Sequence, residues 1–114
     1  MKIDEKKLEA VMLELGHDDL NRGTEYLREA VELYRPGVLL TRELYPALAK
    51  AHDSTPGGVE RCMRHSIEKA WSRGSEAARL QYFGYSYSPE SGRPRVGEYV
   101  ARIARLCRKA EGQD

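Results

Sequence analysis

Between Gly57 and Glu68 the chain places Glu60, Arg61, Arg64, His65 and Glu68 three and four residues apart, so on a helix they project to roughly one side. Their chemistry suits the edges of nucleic-acid bases. An arginine fork can donate to both N7 and O6 of guanine, and a glutamate can accept from the cytosine amino group. Lys69 and Arg73, further along, add cationic attraction for phosphates, and Gly57-Gly58 precede the run with no side chains to offer. The same pattern also suits a solvated face laced by i,i+4 pairs such as Glu60–Arg64 and Arg64–Glu68. Spacing alone does not separate the two.

Other chemistry finds less support. His17, His52 and His65 have no HExxH or similar metal spacing, so no metal or other cofactor is expected. Ser86 and Ser88 lie in a polar loop without GxSxG, and no Cys–His–acid order marks a nucleophile. No enzyme and no small-molecule substrate are expected. Cys62 and Cys107 are far apart and read as two ordinary thiols of a reduced, cytoplasmic chain. The N-terminal "MKIDEKKLEA" has no apolar h-region, and no run of about 18 apolar residues exists, so neither a signal peptide nor a membrane span is expected. The basic "GRPR" of Gly92 to Arg95 suits phosphate bracing and a solvated linker equally.

The elements that must position the polar run are helical. The chain has 114 residues, 40% hydrophobic and 32% charged, which suits one domain over residues 1–114 with a modest core. The formal charge is only +1, but its distribution is uneven: residues 1–50 carry a net −2 and residues 51–114 a net +3. Leu8, Val11, Met12 and Leu15 predict a first helix from Asp4 to Leu15, capped by Asp4 and stopped by Gly16. Leu27, Ala30, Val31 and Tyr34 predict a second from Thr24 to Tyr34. A third unit, Val38 to Ala51, is expected to be capped by Thr41. After "HDSTPGG", Ser54 or Thr55 caps a longer helix with Pro56 near its first position. Its apolar stripe is Val59, Cys62, Met63, Ile67, Ala70 and Trp71, and Gly74 ends it. A short helix, Glu76 to Tyr82, a loop from Phe83 to Arg95 and a last helix, Val96 to Lys109, complete the chain. The expected class is all-α, a compact bundle of five or six short helices. Helix, tight turn and longer helix is the helix-turn-helix layout, in which the second helix enters the major groove.

Those residues resemble a known family. "VERCMRHSIEKAWSRG" is similar to the recognition helix of the C-terminal DNA-binding domain of the sporulation master regulator, stage zero sporulation protein A. "LGHDDLNRGTEYLREAVEL" resembles its second-helix region, "LYPALAK" the first helix of its helix-turn-helix, and Phe83-Gly84-Tyr85 its "FGY" tripeptide. The likeness spans about residues 4–108. It implies an all-helical effector domain that binds short boxes of double-stranded DNA, often as a tandem homodimer, normally behind a phosphorylatable receiver domain that is not expected within this chain. By the same resemblance Glu60 and Arg61 match base-reading positions, Arg64 and His65 the next exposed turn with backbone contacts, and Ile67 and Trp71 core positions. The last helix matches the region of dimer contacts. Where the family usually has Ser-Arg, this chain has Gly57-Gly58, so one base-reading arginine is missing. The alternative is a degenerate relative, a helical protein-interaction module that modulates a homologue without binding DNA.

Overall fold

Asp4 opens the first helix as the sequence predicts: its side chain accepts from Lys7 N at 3.2 Å, and α1 runs Glu5–Glu14. The computed structural model describes residues 2–17, 21–84 and 92–109. Asn21, whose side chain accepts from Gly23 N, starts α2, Arg22–Leu33, earlier than expected, because the cap lies ahead of the apolar stripe. α3 is Tyr45–Ala51, α4 Pro56–Arg73, α5 Glu76–Phe83 and α6 Val96–Cys107. The described residues hold no strand; Ile3 and Arg108 form an isolated antiparallel bridge. There, Asp4 N donates to Cys107 O at 2.7 Å and Lys109 N to Lys2 O at 2.8 Å. The class is all-α, with six helices.

Thr41 does not cap the third unit. It lies inside one wide turn, Leu40–Leu44, in which the N–H of Leu44 reaches back five residues to Leu39 O at 3.1 Å. Pro46 then falls in the first turn of α3, where its missing N–H costs nothing. α5 extends through Phe83, which is buried rather than part of a loop. α6 stops at Cys107, two residues short of expectation.

The core gathers the predicted stripes. Leu8, Val11, Met12 and Leu15 of the first segment, Leu27, Ala30 and Val31 of α2, and Val59, Met63, Ile67 and Ala70 of α4 are all buried. α4 runs through the middle, with α2 crossing it closely at Gly23: a Cβ there would collide with the Cys62 carbonyl, so only glycine permits the approach. Gly16 takes φ +97 past the end of α1, the left-handed conformation expected of a helix stop. Trp71 is a departure. It lies half-buried at the rim of the core, edge-on to Phe83 at 5.5 Å and Tyr99 at 6.4 Å, with the Arg79 guanidinium 5.7 Å from its centroid. Arg79 Nη1 also donates to Trp71 O and Gly74 O, satisfying carbonyls that the end of α4 leaves open.

A polar network threads this core. His17 Nδ1 lies 3.0 Å from Ser66 Oγ, Nε2 lies 2.6 Å from Tyr99 Oη, and Thr24 Oγ1 is 3.0 Å from the same Ser66. It ties the end of the α1 segment to α2, α4 and α6. Burial, with the Arg73 charge second, pulls His17 down to about 4, so the ring is neutral at neutral pH. With Tyr99 O–H donating to Nε2, Nδ1–H donates to Ser66 and both ring nitrogens are satisfied. Burial also pushes the Tyr99 phenol up, which keeps that proton in place.

Candidate nucleic-acid interface

α3 and α4 are joined by a four-residue turn, His52 to Thr55. Asp53 adopts φ 52, an uncommon left-handed conformation outside glycine that aspartate tolerates better than most residues. Thr55 is the N-cap of α4: its side chain accepts from Gly58 N at 3.0 Å, and Pro56 follows in the first turn. Tertiary contacts hold the turn from behind. His52 Nε2 lies 2.6 Å from Glu29 Oε2 of α2, and its ring stands edge-on to Tyr26 at 5.0 Å. The pair α3–α4 is therefore fixed against α2, and the first half of α4 presents its polar side outward.

On that side Arg61, Arg64 and His65 are exposed, and Glu60 and Glu68 are partly covered. Gly57, Arg61, Arg64 and Glu68 follow one stripe at i, i+4, i+7 and i+11. The Arg61 side chain makes no hydrogen bond or ion pair with any described residue, and the same holds for that of His65. Arg64 Nη1 lies 3.4 Å from Glu60 Oε1, the i,i+4 pair expected of a solvated face. The other expected pair, Arg64–Glu68, is replaced: Glu68 Oε2 takes Arg93 Nη2 at 3.0 Å. Lys69 is exposed one step off the stripe. Arg73 lies in the last turn, about 18 Å along the axis from Arg61 at 1.5 Å per residue. Its charge acts on His17, so it belongs to the α1 end of the molecule rather than to the first turns of α4.

The glycine pair is not uniform. A Cβ on Gly57 would meet nothing within 4 Å. A Cβ on Gly58 would lie 3.0 Å from Thr55 Oγ1 and 3.3 Å from Ser54 Oγ, against the cap itself. Gly57, not Gly58, shares the stripe of Arg61.

The fold adds residues that the sequence left undecided. The "GRPR" segment returns to α4 ahead of α6, so that Tyr45, Glu60, Arg64, Arg93 and Arg95 line one open cleft. Three guanidiniums thus share the cleft with one carboxylate, Glu60, beside the exposed start of α4. Arg95 is the N-cap residue of α6 and makes no side-chain cap hydrogen bond. The charge of Glu60 raises the Tyr45 phenol further after burial has done so, which keeps that hydroxyl a donor. The Pro between two arginines was the available signal that this loop is held, but where a loop packs is a tertiary outcome. Tyr85, Ser86 and Ser88 lie outside the described residues. A second grouping was invisible to motif spacing: one ligand atom from each of Glu25, Glu29 and His52 lies within 4.8 Å of the others.

No helix among the described residues is long and apolar enough to cross a membrane. The matching family model is described as sporulation initiation factor Spo0A C terminal, and it aligns with residues 8–106, from the first buried leucine of α1 to the penultimate residue of α6. With its turn-linked α3–α4 pair and the family pattern running from α1 through α6, the chain belongs to the Spo0A C-terminal family.

Proposed function

We propose that this chain binds double-stranded DNA in a sequence-selective way and regulates transcription as a sporulation effector domain. The observation that carries this reading is Arg61: exposed on the first half of α4, next to a capped tight turn, and without a partner among the described residues. A helix placed this way enters the major groove with its first turns toward the bases. Arg61 and Glu60 read base edges, Arg61 as a guanine fork. Arg64, His65 and Lys69 supply backbone attraction. Arg93 and Arg95, in the cleft beside the start of α4, supply attraction for a phosphate strand next to the groove. Gly58 lies in the first turn against the Thr55 cap and offers the groove backbone only, Glu68 orients Arg93, and Arg73 contributes long-range attraction only. Tandem boxes would bring two copies together as a homodimer. The test is a titration of box and scrambled duplexes at two salt concentrations. Preference for one sequence, with affinity falling steeply as salt rises, is the expected outcome.

A second reading has its own support. The guanidiniums of Arg64 and Arg93 are already paired with Glu60 and Glu68, and Gly57-Gly58 offer no side chain. Those features favour a degenerate relative that modulates a homologue by protein contact. Salt-insensitive or absent DNA binding, with capture of a full-length homologue, would select this reading.

A further inference from the structure

Where α2 meets the turn ahead of α4, three metal-ligating side chains converge from two elements. Glu25 and Glu29 stand one helical turn apart on α2, and His52 caps α3. One ligand atom from each lies within 4.8 Å of the others, and the His52 ring is already oriented by Glu29 at 2.6 Å and by the edge-on ring of Tyr26. The Glu25 side chain makes no hydrogen bond or ion pair with any described residue. Two carboxylates and one imidazole therefore offer ligand atoms within 4.8 Å of one another. A divalent cation bound by two carboxylates and one neutral imidazole makes a set with no net charge.

We propose that Glu25, Glu29 and His52 bind a divalent first-row transition cation of the zinc class, which clamps the helix-turn-helix turn to α2. The donor set decides the class: an imidazole nitrogen with two carboxylate oxygens suits zinc and its neighbours, whereas calcium and magnesium prefer oxygen-only shells. Zinc bonds to these donors are about 2.0–2.2 Å long, so the ligand atoms must close in from their present spread. All three side chains are at least partly exposed, so solvent and a cation can reach them. Water completes the coordination. Cation binding takes the place of the Nε2 proton in the His52–Glu29 contact, that proton moving to Nδ1 or to solvent, and so joins α2 to the turn through a shared metal. The proposal is independent of the DNA reading, because its readout needs no DNA.

The experiment uses the whole chain, stripped with a chelator and titrated with zinc chloride by calorimetry, with melting temperature followed in parallel. One equivalent binds and the melting temperature rises with zinc concentration. Glu25→Gln, which removes no side-chain hydrogen bond or ion pair among the described residues, melts close to the wild type without metal. It binds zinc more weakly by at least about tenfold, since losing even an outer-shell partner costs that much. His52→Gln, checked for an unchanged helical spectrum, loses the effect as well. Cys62→Ser binds as the wild type does. The proposal is overturned if Glu25→Gln binds zinc as tightly as the wild type, if Cys62→Ser abolishes binding, or if no saturable binding is found.

Discussion

Arg61 stands exposed with no partner among the described residues, whereas Arg64 three positions on is engaged by Glu60. Truncating the two should therefore have different consequences. Arg61→Ala should leave the helical spectrum and melting temperature unchanged. It should remove preference among duplexes, by the 1–3 kcal/mol that a bidentate base contact contributes, roughly a ten- to hundredfold loss of selectivity in a competition assay. Unchanged selectivity with normal folding would remove Arg61 from the reading surface. The glycine pair separates stability from recognition. Gly57→Ala places a methyl in open space on a helix, and should raise stability by about 0.5–1 kcal/mol in denaturant titration. Gly58→Arg restores the family's arginine but presses on Thr55 Oγ1, and its charge opposes the helix dipole at that end. Its stability should hardly change, while binding to the family's box tightens and binding to a scrambled duplex does not. Equal gains on both duplexes would mean that position 58 does not face the bases.

At the scale of elements, α4 was the most legible part of the chain. Its cap at Thr55, its proline in the first turn, its stripe from Val59 to Ala70 and its end near Gly74 all follow from residue spacing and are all present. Trp71 was less legible because it sits at the edge of the stripe, where a turn of about 100° per residue carries it out of the core. Trp71→Ala should accordingly cost near or below the lower end of the usual 3–5 kcal/mol for a core aromatic, about 2–3 kcal/mol, read as a lowered denaturation midpoint. A loss of DNA affinity at unchanged stability would instead make Trp71 a contact residue. The wide turn ahead of α3 was not legible, since Thr41 looks like a cap but the backbone there bonds back to Leu39 and Leu40. Nor was the place of Arg93. A loop carries no periodicity to show where it packs, and only the folded chain brings it to Glu68.

The whole molecule turns on the His17 network, which no motif announces: a single histidine among helices has no spacing to mark it, and its partners Thr24, Ser66 and Tyr99 come from three other segments. Its consequence is a pH dependence of folding. In the unfolded chain His17 takes up a proton below about 6.5, and in the folded chain only below about 4. Between those values the unfolded state binds more protons, so stability falls as pH falls through the window. At 1.36 kcal/mol per unit the loss is about 3 kcal/mol, complete near pH 4. Denaturant titrations at neutral and acid pH should show this slope, and His17→Gln, though less stable overall, should show a shallower one. A parallel slope in the variant would assign the acid sensitivity to other groups. One further property follows from the paired ends of the described chain, where the backbone of Lys2 and Asp4 bonds that of Lys109 and Cys107. Because start and finish lie side by side, order along the chain is not needed to define this architecture. A circular permutant that links residue 109 to residue 2 through a few flexible residues, and is opened at the exposed turn of Gly37, should fold to the same six helices.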